Sequence, residues 1–199
     1  MGTIDIIGAV IGLAYIVSEY RADRWFWPLS LLMSVFYIVI DFSSGLFANG
    51  AICCYNFVMS IYGILVWHGI MGKKDRAERP ISSCPRRYWP WIVAVAVVLS
   101  VALSWLLVAM NGWLVGLADE EMRSSLQYPV LDGISSALTI VAMWMLAHKW
   151  WQQWIIWLIV EPLMIALFWL TGNYASAALY VVFEVFCILG IFRWKKLGV

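Results

Sequence analysis

Apolar residues run along this chain in seven long stretches, separated by short clusters of charged and turn-forming residues. The stretches cover about residues 3–20, 25–42, 46–68, 89–111, 129–148, 150–170 and 173–194. Each approaches the ~20 apolar residues that a helix needs to cross a ~30 Å hydrocarbon core. A backbone in lipid must satisfy its own hydrogen bonds, so such stretches are predicted to be helices. The pattern therefore predicts an all-α polytopic membrane protein with seven transmembrane helices. The first stretch carries Asp5, has no basic region before it and ends in Glu19-Tyr20-Arg21, which is the pattern of a span and not of a cleaved leader. Most connections are very short. The two longer ones, 69–88 and 111–127, flank the fourth stretch and leave three stretches on either side of it.

The two groups of three resemble each other. Sliding the chain by 127 residues, without a gap, places Asp5 on Asp132, Trp27 on Trp154, Gly45 on Gly172, Ala48 on Ala175, Ala51 on Ala178, Gly63 on Gly190 and Trp67 on Trp194. Two such units separated by one extra helix enter the membrane in the same direction. The expected architecture is a pair of parallel three-helix repeats joined by a linker helix (3+1+3), with substrate bound between the repeats. Residues 1–68 form the first repeat. Residues 69–128 supply a basic cytoplasmic loop, the linker helix and an acidic outer loop, and 129–199 the second repeat and a basic tail.

Composition narrows the class further. Of the 199 residues 64% are hydrophobic and 14 are tryptophan, which excludes an ordinary soluble domain. The net charge of +1 gives no ground for a nucleic-acid partner, but the distribution of charge orients the chain. Twelve of the 13 Lys and Arg residues fall in one set of alternate connections, and only Arg123 falls in the other. By the positive-inside rule the N-terminus is outside and the C-terminus cytoplasmic, with lipid around the whole bundle. Cys53, Cys54, Cys84 and Cys187 have no metal-like spacing and are expected to be free thiols.

The candidate chemistry centres on 150–170, where Glu161 and Pro162 interrupt a membrane-length apolar run. At 1.5 Å per residue Glu161 lies about 17 Å from Trp150, near the bilayer midplane. An ionisable side chain there costs at least a few kcal/mol, so it is predicted to face a polar interior. Trp150, Trp154, Trp157 and Glu161 are spaced to share a helix face, and an indole beside an acid is a way to hold an aromatic cation. Glu184 and Tyr180 share a face of the last helix, while Asn56 and Tyr55 supply polar groups from the third. The expected substrate-binding set is Trp154, Trp157, Glu161, Glu184, Asn56, Tyr55 and Tyr180. Trp154 also fits a lipid-facing role, and either glutamate fits a helix-to-helix hydrogen bond. Asp5 and Asp132 are expected to cap helix N-termini. Trp89, Trp91, Trp150 and Trp151 are expected to anchor at the membrane interface. No HExxH, GxSxG or paired carboxylates on one helix occur, so no catalytic residue, metal or cofactor is expected.

Several of these residues together resemble the Pnu family of bacterial vitamin transporters. They are Trp154-Ile-Ile-Trp157 with a polar residue four on, Ser60-Ile-Tyr-Gly63 running to Trp67, Pro129-Val-Leu-Asp132 followed by Leu138-Thr-Ile-Val-Ala-Met143, and Gly172-Asn-Tyr-Ala175. The resemblance extends from about Asp5 to Trp194. It implies a seven-helix, SWEET-like fold, a homotrimer in the bacterial inner membrane and facilitated diffusion of a small vitamin. Trapping falls to a cytoplasmic vitamin kinase, and the transporter itself is no enzyme. Riboside members of the family resemble WxxWxxxN at this motif, where this chain has Glu161, and it has Cys53 where a ligand-binding Gln is expected. A carboxyl suits an aminopyrimidine, so thiamine is the first expected substrate and nicotinamide riboside the alternative. Proton- or sodium-coupled transport through Glu161 and Glu184 is the mechanistic rival.

Overall fold

The computed structural model describes residues 3–43, 47–68, 70, 81–109, 127–170, 172 and 174–198. Within them lie seven α-helices: α1 (Thr3–Arg21), α2 (Phe26–Ser43), α3 (Phe47–Trp67), α4 (Trp89–Ala109), α5 (Gln127–Ala147), α6 (Gln153–Leu170) and α7 (Tyr174–Leu197). A 3₁₀ turn, Arg86–Tyr88, leads into α4. Five helical segments among the described residues are long and apolar enough to cross a membrane: Gly50–Trp67, Arg86–Ala109, Pro129–Ala147, Gln153–Leu170 and Ser176–Leu197. The seven apolar stretches thus become seven helices, with ends that differ by only a few residues.

Two differences at helix ends matter. Helix α6 begins at Gln153, so Trp150 belongs to the preceding turn and not to the Trp154–Trp157–Glu161 face. The cause is a competing set of backbone bonds. Ser82 N–H donates to the Lys149 carbonyl (3.0 Å) and Trp151 N–H to the Ser82 carbonyl (3.1 Å), stitching the segment before α4 to the α5–α6 turn. Trp150 is consequently buried, packed between Tyr88, Trp144 and His148, whereas Trp91 is 72% exposed as an anchor should be. Helix α5 begins at Gln127, so Asp132 is a helix-interior residue that accepts the Ser136 hydroxyl at 3.3 Å, and not a cap. The Asp5 side chain lies outside the described residues. No disulfide joins Cys53, Cys54, Cys84 or Cys187.

Helices α1, α2 and α3 pack in sequence, as do α5, α6 and α7. Contacts between the two triplets are reciprocal, α1 against α7 and α3 against α5. Helix α4 packs on α5, drawn close at Gly133, where an added Cβ would lie 2.5 Å from the Ser104 backbone nitrogen. The rest of α4 faces outward with Val93, Val95, Val97, Val98 and Val101 exposed, a surface that lipid accepts as readily as protein.

The local contacts repeat 127 residues apart. Ala22 (φ 55°) and Lys149 (φ 57°) both close the turn after the first helix of a triplet. The hydrogen bonds match as well: Ala22 N–H to Glu19 carbonyl and Asp23 N–H to Ser18 carbonyl, then Lys149 N–H to Leu146 carbonyl and Trp150 N–H to Met145 carbonyl. Trp27 lies on Gly63 and meets Trp67 edge to face at 5.7 Å; Trp154 lies on Gly190 and meets Trp194 edge to face at 5.7 Å. The two outer indoles then cross over. Trp67 donates to the Ala147 carbonyl (3.3 Å), and Trp194 donates to the Glu19 and Tyr20 carbonyls (3.1 and 3.3 Å). Each triplet's third helix is thereby tied to the end of the other triplet's first helix, a self-complementary exchange of the kind that two-fold symmetry produces.

Candidate functional site

A polar cluster occupies the apolar interior between α1, α6 and α7. On α6, Gln153, Trp157 and Glu161 are spaced four apart and form one inward stripe. On α1, Tyr15 and Glu19 are four apart, and on α7 Tyr180, Glu184 and Cys187 share a face. Glu161, 5% exposed, lies within electrostatic reach of Glu19 on one side and Glu184 on the other. Glu19, 1% exposed, turns its carboxyl toward the Gln153 amide and the Trp157 indole. Tyr15 is close to Glu19, Glu161 and Tyr180, and Tyr180 is close to Glu161, Tyr37 on α2 and Cys53 on α3. The cluster thus draws on both triplets. Pro162, which has no N–H, also deprives the Leu158 carbonyl of its helical donor one turn from Glu161.

The Gln153 amide and the Trp157 indole reach toward the Glu19 carboxyl, but most polar atoms of the cluster stop short of hydrogen-bond geometry. Glu19 Oε1, Glu161 Oε2, Glu184 Oε2, Trp157 Nε1 and both amide atoms of Gln153 are buried without a hydrogen bond among the described residues. Leaving a buried polar group unpaired costs about 1–3 kcal/mol, so a concentration of them marks a site where function overrides stability. The equivalent positions in the first triplet behave differently. Ser34 stands for Glu161, Ser30 for Trp157 and Ser60 for Cys187 at the 127-residue offset. Ser34 donates to the Ser30 carbonyl (2.8 Å), and Ser60 joins the Ser30 hydroxyl (2.8 Å) and the Asn56 carbonyl (2.7 Å). At these positions the hydroxyls of the first triplet satisfy one another, whereas Glu161 and Trp157 at the matching positions are left unpaired among the described residues.

Of the residues expected from the sequence, the structure brings Trp157, Glu161, Glu184 and Tyr180 together. It places Trp154 elsewhere: fully buried between Gly190 and Trp194, this ring packs as its counterpart Trp27 does and is a wall of the core. Tyr55 ties α3 to α5 by donating to the Ile140 carbonyl at 2.9 Å. Its ring lines an apolar groove of about 370 Å³ with Tyr88, Trp91, Val95 and Trp144, away from the acids. Asn56 sits one turn before Ser60, its amide oxygen buried and unpaired among the described residues. Glu19, Gln153 and Tyr15 were not among the expected residues. Glu19 marks the end of the first apolar stretch in sequence and so reads as a boundary, yet tertiary packing buries it. Gln153 carried a usable signal, a polar side chain two helical turns before Glu161. Among the described residues no three His, Cys, Asp or Glu side chains gather closely enough to hold a metal ion.

Membrane-spanning helices around an acid-lined polar interior are the construction of a protein that passes a small solute through a bilayer. A family model described as nicotinamide mononucleotide transporter matches residues 2–196, and the chain belongs to that family of membrane transporters. The nicotinamide riboside transporters PnuC of Escherichia coli and Neisseria mucosa are each 24% identical to it over 96% of this chain, covering 84% and 71% of their own lengths. The riboflavin/roseoflavin transporter RibM of Streptomyces davaonensis is also 24% identical over 96% of this chain and 83% of its own. The crystal structure of the vitamin B3 transporter PnuC superposes with a TM-score of 0.72 at 19% identity, covering 98% of this chain and 81% of that one, and shares the fold. The chain is thus a transporter and not an enzyme, as the resemblance implied.

Proposed function

We propose that this protein carries nicotinamide riboside into the cell by facilitated diffusion. The observation that carries this reading is the pair of buried, unpaired carboxyl oxygens on Glu161 and Glu184 beside Trp157: an acidic interior with an indole face suits a flat pyridinium cation. Thiamine was the first expectation, on the strength of Glu161. The relatives named above shift the preference, because two carry nicotinamide riboside in their names and none of the three names thiamine. Both vitamins are cations, so the carboxyl alone does not separate them. Counterflow in proteoliposomes loaded with riboside, thiamine or riboflavin tests the choice. Riboside-dependent exchange is expected, and exchange with thiamine or riboflavin alone would replace the substrate. Uptake that collapses with the proton or sodium gradient would establish the coupled mechanism through Glu161 and Glu184 instead.

The repeated turns, Trp–Gly contacts and crossed indoles support two parallel three-helix repeats, 1–68 and 129–199, with α4 as linker, in the 3+1+3 SWEET-like arrangement. In this arrangement the N-terminus is outside, the C-terminus is cytoplasmic, and the assembly is a homotrimer in a bacterial inner membrane. A cytoplasmic vitamin kinase makes uptake unidirectional. In a chain whose four native cysteines are replaced, Lys196→Cys, at an exposed position, should react with an impermeant maleimide only in inside-out vesicles, and native mass spectrometry should show three chains.

A further inference from the structure

Glu19 and Gln153 belong to neither the family motif nor the acid–indole pair that the proposed substrate requires, yet both are almost wholly inaccessible, at 1% and 0% exposure. Gln153 leaves its amide oxygen and its amide nitrogen unpaired among the described residues, as Glu19 leaves Oε1, and the two side chains face each other. Their position relative to the indole is defined by helix geometry. Gln153 and Glu161 stand four residues before and after Trp157, about 6 Å along the axis in either direction. A flat ligand stacked on Trp157 therefore meets Glu161 at one end and the Gln153–Glu19 pair at the other. A primary carboxamide is the group that satisfies this second end. Its carbonyl accepts from Gln153 Nε2, one N–H donates to Gln153 Oε1 and the other to the Glu19 carboxyl.

We infer that Glu19 and Gln153 form a carboxamide-reading pole of the substrate site, opposite the cation-facing Glu161. The inference rests on the proposed function and names the part of the ligand that each side of the site recognises. A carboxylate in place of the carboxamide has no N–H to give to Gln153 Oε1 or to the Glu19 carboxyl, so the pole selects an amide over an acid on the same ring.

The test uses the purified full chain in detergent, titrated calorimetrically with nicotinamide riboside and with nicotinic acid riboside, which differ only at this group. Wild type is expected to prefer the amide by about tenfold, the scale of one buried hydrogen bond gained or lost. Glu19→Gln keeps the shape of the side chain and the backbone carbonyl that receives Trp194, so it should fold and elute as wild type. It is expected to lower amide affinity by about tenfold and to narrow the preference over the acid. Gln153→Leu tests the same pole independently and should also reduce the ratio. A ratio left unchanged by both variants overturns the inference while leaving the proposed substrate intact. Wild type that binds neither riboside refutes the proposed function, and the inference falls with it.

Discussion

Replacing Gly190 by alanine sets two opposed effects against each other. Alanine is the better helix former, by about 0.8–1 kcal/mol. At this position, however, its Cβ would lie 2.5 Å from Cδ2 and Cε2 of Trp154, well inside the 3.5–4.0 Å of ordinary carbon contacts. The ring has little room to retreat. It is fully buried and held edge on by Trp194, whose own indole N–H is fastened to the end of α1. Overpacking of this kind costs about 1–3 kcal/mol or more, so the steric term outweighs propensity and a net loss of about 1–2 kcal/mol is expected. For a chain of this size that corresponds to a fall of roughly 2–8 °C in melting temperature. Intrinsic tryptophan fluorescence during heating in detergent measures it. Gly63→Ala, which meets Trp27 in the same way, should behave alike, because the two sites are copies. Gly12→Ala supplies the contrast: its Cβ would stand 3.4 Å from Phe183, an ordinary contact, so it should be neutral or slightly stabilising. If Gly190→Ala and Gly63→Ala melt no earlier than Gly12→Ala, the repeated Trp–Gly packing is not what holds each triplet together.

Three other outcomes follow from the same geometry. Trp67→Phe and Trp194→Phe each remove one crossed indole bond, so both should destabilise by about 1 kcal/mol beyond the loss of ring volume, with similar melting shifts; a loss confined to one of them would mean the two ties are not equivalent. Trp157→Ala should weaken riboside binding more than tenfold by calorimetry, since a desolvated cation–π contact contributes about 2 kcal/mol, while Trp157→Phe keeps part of it; normal binding by the alanine variant would move the stacking site elsewhere. Burial pushes the Cys84 thiol up, so less thiolate is present at a given pH and its alkylation rate should still be climbing with pH where free cysteine has levelled off; a curve coincident with that of free cysteine would contradict its burial.

The amino-acid sequence alone determined the helices and the 127-residue offset at which their contacts recur. Lipid leaves a membrane-length apolar stretch little choice but to be helical, so the seven stretches fall on α1 to α7. The Trp–Gly–Trp pattern survives at a constant offset because each copy must solve the same packing problem. Glu161, Trp157, Glu184 and Tyr180 were legible for a related reason: a polar group deep in an apolar run must face the interior. Tertiary structure decided the rest, because burial at the end of a helix depends on what docks there. Glu19 reads as the aqueous boundary of the first stretch until α6 and α7 close over it. Trp154 and Trp157 belong to one WxxW motif, and only the approach of Gly190 tells which ring is sealed in the core and which faces the acids. A helix fixes the face that a residue shares, but the neighbour that covers that face comes from elsewhere in the chain.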